Sequence, residues 1–248
     1  MFNAKEVKQE IVEWIKDYFR DNGSLQTKAV IGISGGKDSS VVAALCLEAL
    51  GKDRVLGVLI PQGEQHDIEV AYDLCKTLDI AYVEINIKEP VQALYDEILL
   101  SGLNLNDAAI FNTPARIRMT TLYAVSGIVG GRVANTCNLS EDWVGYATKF
   151  GDTAGDFSPI SDLTVSEVKA IGYELGLASR FIDKVPIDGL CGKTDEDNLG
   201  FTYKVLDRYI REGICEDDNV KERIDNLRKM NLHKVKPMPM FRLKDTIK

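Results

Sequence analysis

Apolar positions along the chain fall into two periods. Val7, Ile11, Trp14, Ile15, Tyr18 and Phe19 recur at helical spacing and predict a first helix that stops at Asn22-Gly23. Short apolar runs at 28–33, 54–60 and 81–87 predict strands, and the stretches near 39–50 and 65–78 predict helices between them. A helix near 90–101 and a long one near 107–129 follow, then a strand from Arg132 to Thr136. Residues 145–162 are rich in Gly, Asp, Thr and Ser, which predicts a long functional loop. Helices near 165–176, 198–211 and 219–230 complete the chain. Alternating helices and short apolar strands predict an α/β fold, a doubly wound parallel sheet covered by helices on both faces. No repeat, low-complexity tract or second-domain boundary interrupts the pattern, so residues 1–248 read as one domain. Ligands of such sheets sit beyond the carboxyl ends of the strands, where Ser34, Pro61 and Thr136 fall.

The first strand breaks into a glycine turn, Val30-Ile-Gly-Ile-Ser-Gly-Gly-Lys-Asp-Ser-Ser40. Gly35 and Gly36 let backbone N–H groups converge, the next helix presents its positive end there, and Ser34, Lys37 and Ser39 add donors. This is a place to hold phosphate. It is not a Walker A loop, because Ile31 stands where the first Gly is needed and Asp38 where the metal-binding hydroxyl is needed. The dinucleotide pattern fails as well, since Gly32, Gly35 and Gly36 have the wrong spacing. An Asp inside an anion nest repels phosphate unless a divalent cation lies between them. Ser-Gly-Gly-Lys-Asp-Ser looks like the pyrophosphate loop of ATP pyrophosphatases, which cut ATP between its α and β phosphates.

Composition narrows the partners. With 30 basic and 38 acidic residues the net charge is −8, which argues against broad nucleic-acid binding but leaves room for a small anion in a local basic pocket. No run approaches the roughly 18 apolar residues of a membrane span, and the charged stretch 1–22 is no signal peptide. Cys46, Cys75, Cys137, Cys191 and Cys215 make an odd number without a Cys-x-x-Cys pair, so buried reduced thiols in a cytoplasmic protein are expected.

A second constellation begins at Asn112-Thr-Pro-Ala-Arg116-Ile-Arg118-Met119, where Asn112, Arg116 and Thr120 share a helix face and Arg118 points elsewhere. Asn135-Thr136-Cys-Asn138-Leu-Ser140-Glu141, Gly145-Tyr146-Ala-Thr148-Lys149-Phe-Gly151-Asp152 and Asp156-Phe-Ser-Pro159-Ile follow. Here the chain resembles the bacterial NAD synthetases, whose motifs occur in order and spacing from about residue 28 to 234, resuming at Asp195-Glu196-Asp197-Asn-Leu-Gly200-Phe-Thr-Tyr203 and at His233-Lys234. The resemblance implies an adenine nucleotide alpha hydrolase-like, Rossmann-like fold. It also implies an ammonia-dependent ligase that adenylates the nicotinate carboxylate of deamido-NAD with Mg-ATP, releases pyrophosphate, and lets ammonia displace AMP. Carried over residue by residue, Gly32, Ile33, Ser34, Gly35, Gly36, Lys37, Asp38 and Ser39 would wrap the ATP phosphates, with Lys37 offsetting charge on the departing pyrophosphate. Thr136 would bind ATP, Asp38 and Glu141 would hold Mg²⁺, and Arg116, Lys149, Asp156, His233 and Lys234 would contact deamido-NAD. Asp156 is a candidate acceptor for the proton that ammonia sheds. A homodimer with deamido-NAD at the interface is implied, Trp14 and the long helix being apolar enough to take part. Residues 1–27 are too few for a glutaminase domain, so direct use of ammonia is expected.

Other readings of the same residues stay open. Glu141 could simply favour a helix start, Arg116 could be a surface ion pair, and His233 incidental; His66 reads as surface. The acidic run 195–197 reads as a solvated helix start, although its place after 188–192 suggests a lid. Several positions depart from the family pattern. Val165 and Ile187 stand at ATP-contact positions where many relatives carry Lys and Ser or Thr, Asn135 replaces a Gly, and Lys193 is a possible substitute charge. Rival functions are another ATP pyrophosphatase, such as a tRNA-modifying ligase, and a nucleotide-binding module without turnover. The lack of a basic or zinc-binding RNA module counts against the first, and the pairing of Asp38 with Glu141 against the second.

Overall fold

The computed structural model describes residues 2–65, 67–184 and 194–241. The chain begins with helix α1 (Ala4–Asp21), strand β1 (Lys28–Gly32) and helix α2 (Lys37–Leu50). Strand β2 (Val55–Leu59), helix α3 (Ile68–Thr77), strand β3 (Ala81–Glu84) and helices α4 (Lys88–Leu100) and α5 (Asp107–Val129) come next. Strand β4 (Gly131–Val133) then leads into α6 (Leu139–Val144), α7 (Val165–Glu174), α8 (Ser179–Ile182), α9 (Asp195–Leu199), α10 (Tyr203–Glu212) and α11 (Asp218–Val235). The strands form one parallel sheet in the order β3-β2-β1-β4. The order turns back between β1 and β4, and the crevice at their carboxyl ends is where such sheets hold ligands.

Alternation along β1 sorts the core onto the two faces of the sheet. Ala29, Ile31 and Ile33 join α1, α2, α3, α7 and α8 in one buried cluster, which includes Ile15, Phe19, Leu45, Leu74, Ile171 and Phe181. Val30 points the other way and joins Val58, Val133 and the α4–α5 side chains Val91, Met119, Leu122 and Val125. The doubly covered parallel sheet expected from the pattern is therefore present. A third cluster, Val144, Val165, Leu199, Phe201, Tyr203, Leu206 and Ile224, packs α6, α7, α10 and α11 beside the carboxyl end of the sheet.

Some boundaries differ from expectation. The helix expected over 198–211 is two, because Gly200 adopts φ +79° and Thr202 caps a new helix by accepting from Val205 N. The strand expected to reach Thr136 ends at Val133, and Ala134 continues only as a bridge to Phe157. Likewise β3 ends at Glu84 rather than 87, with the chain turning into α4 after Ile87. The run 195–197 is also more than a solvated start: Thr194 and Asp197 form a capping box, and Glu196 accepts from Tyr203 N. Ile187, His66, Lys193 and the segment 188–192 lie outside the described residues. No described helix is long and apolar enough to cross a membrane. Cys46, Cys75 and Cys137 are buried free thiols, and burial raises the pKa of each.

Candidate active site

Ile33 to Gly36 form the turn that joins β1 to α2, and Lys37, Asp38 and Ser39 open α2. Gly35 has φ +75°, and a Cβ there would lie 3.0 Å from Ala71 N, so the turn requires glycine. The Ser34 and Ser39 hydroxyls are 3.1 Å apart, and Gly36 N donates to Ser34 Oγ at 3.2 Å. Ser40 Oγ donates back to Gly36 O at 2.8 Å, fixing the first turn of α2. A hydroxyl-lined, glycine-hinged cup thus opens at a helix N-terminus, the geometry that suits phosphate oxygens.

Lys37 does not point out of this cup. Its side chain is 4% exposed, and Nζ donates to Asp38 Oδ2 at 2.9 Å and to Glu141 Oε1 at 3.4 Å. The ammonium also lies 5.7 Å from the centroid of the Tyr203 ring. The second Asp38 oxygen accepts from Asn138 Nδ2 at 3.0 Å, while Asn138 Oδ1 caps α6 by accepting from Glu141 N at 3.0 Å. One buried asparagine therefore ties the Asp38 carboxylate to the backbone of Glu141. Asp207, buried on α10, accepts from Ser140 Oγ and Ser166 N and so anchors α6 against the start of α7.

The charges explain the grouping. Burial alone would lower the pKa of the Lys37 ammonium, yet Asp38 and Glu141 raise it on balance. Glu141 is pushed up by desolvation first and by the Asp38 charge second, with Lys37 pulling it down. Asp195 joins the group through Tyr203, whose hydroxyl donates to it at 3.3 Å. Two hard carboxylates converging on one cation fit a divalent metal ion, with the rest of its shell coming from phosphate and water. No cluster of three or more metal-ligating side chains occurs among the described residues, so the protein alone offers an incomplete shell.

A second, basic group is assembled from three distant segments. Arg116 on α5 donates through Nε to Lys149 O at 3.2 Å, and Lys149 Nζ donates to His233 O at 2.9 Å. Lys234 Nζ donates to Gly145 O at 2.8 Å, where a Cβ on Gly145 would lie 2.0 Å from Asn231 Cβ. Arg118 turns inward instead, donating to Ile60 O at 3.1 Å.

Asp156 shares no hydrogen bond with either group among the described residues. Its Oδ2 accepts from Val133 N at 2.7 Å and its Oδ1 from Tyr123 hydroxyl at 3.3 Å. Asp156 lines an open cleft of about 340 Å³ with Asn135, Asp142, Ser158 and Val235. Asn135 holds the cleft wall, donating to Asp152 O and Ala154 O and accepting from Ser158 Oγ. In that cleft Asp142 is pushed up to about 6 by burial, and its Oδ1 finds no hydrogen-bond partner among the described residues.

The structure thus brings Asp38, Lys37 and Glu141 together, and separately Arg116, Lys149, His233 and Lys234. Thr136 lies half-buried just beyond β4. Val165 is buried in the third apolar cluster, so its side chain offers no polar contact. The sequence motifs assign no role to Asn138 or Tyr203, although the Asn-x-x-Glu spacing at 138–141 marks the first.

A family model described as NAD synthase matches residues 7–245. The NH(3)-dependent NAD(+) synthetase of Pyrococcus horikoshii is 38% identical over 239 residues, covering 91% of each chain. Among solved structures, an NMN synthetase from Francisella tularensis superposes with TM-score 0.87 at 32% identity, covering 98% of this chain and 100% of that one. An NH3-dependent NAD synthetase from Campylobacter jejuni gives TM-score 0.77 at 28% identity, covering 98% and 100%.

Proposed function

The chain belongs to the NAD synthase family, and on that footing we propose that it is an ammonia-dependent NAD synthetase. ATP adenylates the nicotinate carboxylate of deamido-NAD, pyrophosphate leaves, and ammonia displaces AMP to give NAD. The observation that carries this reading is the pair of carboxylates, Asp38 and Glu141, gathered on one cation beside the glycine cup at the carboxyl end of β1. A simple nucleotide binder has no use for a buried anionic pair next to a polyphosphate.

In this reading the cup from Gly32 to Ser39 grips the β and γ phosphates through N–H and hydroxyl donors. Asp38 and Glu141 would hold Mg²⁺, which neutralises phosphate charge when bound. Thr136 contacts the nucleotide. Arg116, Lys149, His233 and Lys234 supply a positive surface for the anionic dinucleotide, so two polyanions meet on a protein whose net charge is −8. The carboxylate attacks the α phosphorus, and the bond to the bridging oxygen breaks as pyrophosphate departs. Ammonia then attacks the carbonyl carbon, the carbon–oxygen bond to AMP breaks, and Asp156 accepts the surplus proton. Catalysis is chiefly positioning and electrostatic stabilisation.

We further read the chain as one catalytic domain that works in the cytoplasm as a homodimer. Ile110, Phe111 and Ile128 on α5 leave apolar surface exposed, and the buried free thiols suit a reducing compartment; both support this part of the reading.

A second reading is favoured by the higher TM-score against the NMN synthetase: the acid amidated is nicotinate mononucleotide, the same carboxylate without the AMP half. Incubating the purified chain with ATP, Mg²⁺ and ammonium plus equal amounts of both acids separates the two. NAD accumulating first supports the main reading, NMN accumulating first supports the second, and turnover of neither acid refutes both.

A further inference from the structure

The position of Lys37 is unusual for a lysine. It is the first residue of α2, where the helix end is already positive and a cation is unfavourable. It is also almost fully buried, which an ammonium tolerates only when paired. Both costs are met by one arrangement: the ammonium lies between Asp38 and Glu141, over Tyr203. Its partners are the oxygens that the proposed reading gives to the metal ion. An ammonium and a divalent ion would compete for them, because two like charges held against the same pair of carboxylates repel.

We propose that Lys37 is a built-in cation that occupies the carboxylate pair until nucleotide-bound magnesium displaces it, whereupon its ammonium turns to the triphosphate. The inference rests on the reading that Asp38 and Glu141 hold the metal. Its physical basis is a charge balance. Metal arriving alone would eject Lys37 into a buried position without a partner, which is strongly unfavourable. Metal arriving with ATP brings phosphate oxygens that give the displaced ammonium new anionic partners. Lys37 therefore makes metal binding conditional on nucleotide, and after displacement it stands beside the phosphates where charge builds up as pyrophosphate departs.

The size of the effect follows from occupancy. A group that holds the pair nine-tenths of the time weakens the apparent affinity for free metal about tenfold, and removing that group restores it. The probe is Mn²⁺ alone, titrated into the full chain and followed by the electron paramagnetic resonance of the free ion, with and without a non-cleavable α,β-methylene ATP analogue. Wild-type protein is expected to bind Mn²⁺ at least tenfold more tightly with the analogue than without it. Lys37→Met, which keeps the buried stem, is expected to bind Mn²⁺ alone at least tenfold more tightly than wild type, and to bind the analogue more weakly. Lys37→Gln, which is one atom shorter and keeps an N–H donor but no charge, should lie between and serves if the Met variant does not fold.

Equal affinity for Mn²⁺ alone in wild type and both variants overturns the inference, as does tight wild-type binding without nucleotide. Adding Glu141→Gln to Lys37→Met separates the two levels. Loss of the tight Mn²⁺ site upholds the carboxylate pair as the metal site. Its survival shows that the metal binds elsewhere and overturns both readings.

Discussion

Asn138 is the residue whose removal tests the geometry most sharply. It is fully buried, caps α6 through its Oδ1, and donates through Nδ2 to Asp38 at 3.0 Å. Asn138→Ala removes both contacts. Loss of the cap, which leaves the Glu141 N–H unpaired, costs about 1 kcal/mol, and leaving one Asp38 oxygen unpaired adds about 1–2 kcal/mol, the lower part of the usual range because Asp38 keeps some solvent contact. The expected loss is therefore about 2–3 kcal/mol, read as a fall in the urea midpoint at unchanged slope by circular dichroism. Asn138→Ser keeps a capping oxygen but cannot reach Asp38, so it should recover about 1 kcal/mol of the loss. Both variants should need several-fold more Mg²⁺ for half-maximal turnover, because the Asp38 carboxylate is no longer tied to the start of α6. An alanine variant within about 0.5 kcal/mol of wild type would refute the role given to Asn138.

Two further predictions follow from charge. Asp142 is raised to about 6 in the folded chain by burial. A carboxyl whose folded pKa stands above its unfolded value stabilises the fold while protonated, so its contribution is complete below about pH 4 and is lost as pH rises through about 6. Asp142→Asn should then be more stable than wild type at pH 7.5 by about 1–2 kcal/mol, after discounting for partial exposure, and the gap should close below about pH 4; a gap that does not vary with pH in thermal melts sinks this. Arg116→Lys keeps the charge but loses the planar fork, so KM for the acid substrate should rise about tenfold or more while KM for ATP changes little; steady-state kinetics in each substrate decides, and an equal rise in both speaks against the assignment.

The phosphate cup was legible because its signals are local: a β-branched run, adjacent glycines and a helix start fall within Val30 to Ser40. The two-faced sheet was legible for the same reason, since the alternation along β1 is a property of consecutive residues. What the pattern could not show was the direction of the Lys37 side chain. That is fixed by Glu141, 104 positions away, together with Tyr203 on a helix whose start at Thr202 the periodicity does not mark. The split at Gly200 does not show in the pattern because apolar periodicity runs on through it, and only the positive φ of that glycine breaks the helix. The hydrogen bonds that tie the Asp156 oxygens to Val133 N and the Tyr123 hydroxyl join residues 23 and 33 positions apart, which no local pattern relates.

The central claim is that the acid captures AMP as pyrophosphate leaves, and oxygen tracing addresses it directly. Deamido-NAD carrying ¹⁸O in both carboxylate oxygens is incubated with the chain, Mg-ATP and ammonium, and the phosphorus products are separated and weighed by mass spectrometry. The account predicts one ¹⁸O in AMP, none in pyrophosphate, and one retained in the amide of NAD. Label in orthophosphate with ADP as its companion would mean attack at the terminal phosphate, and would contradict the mechanism.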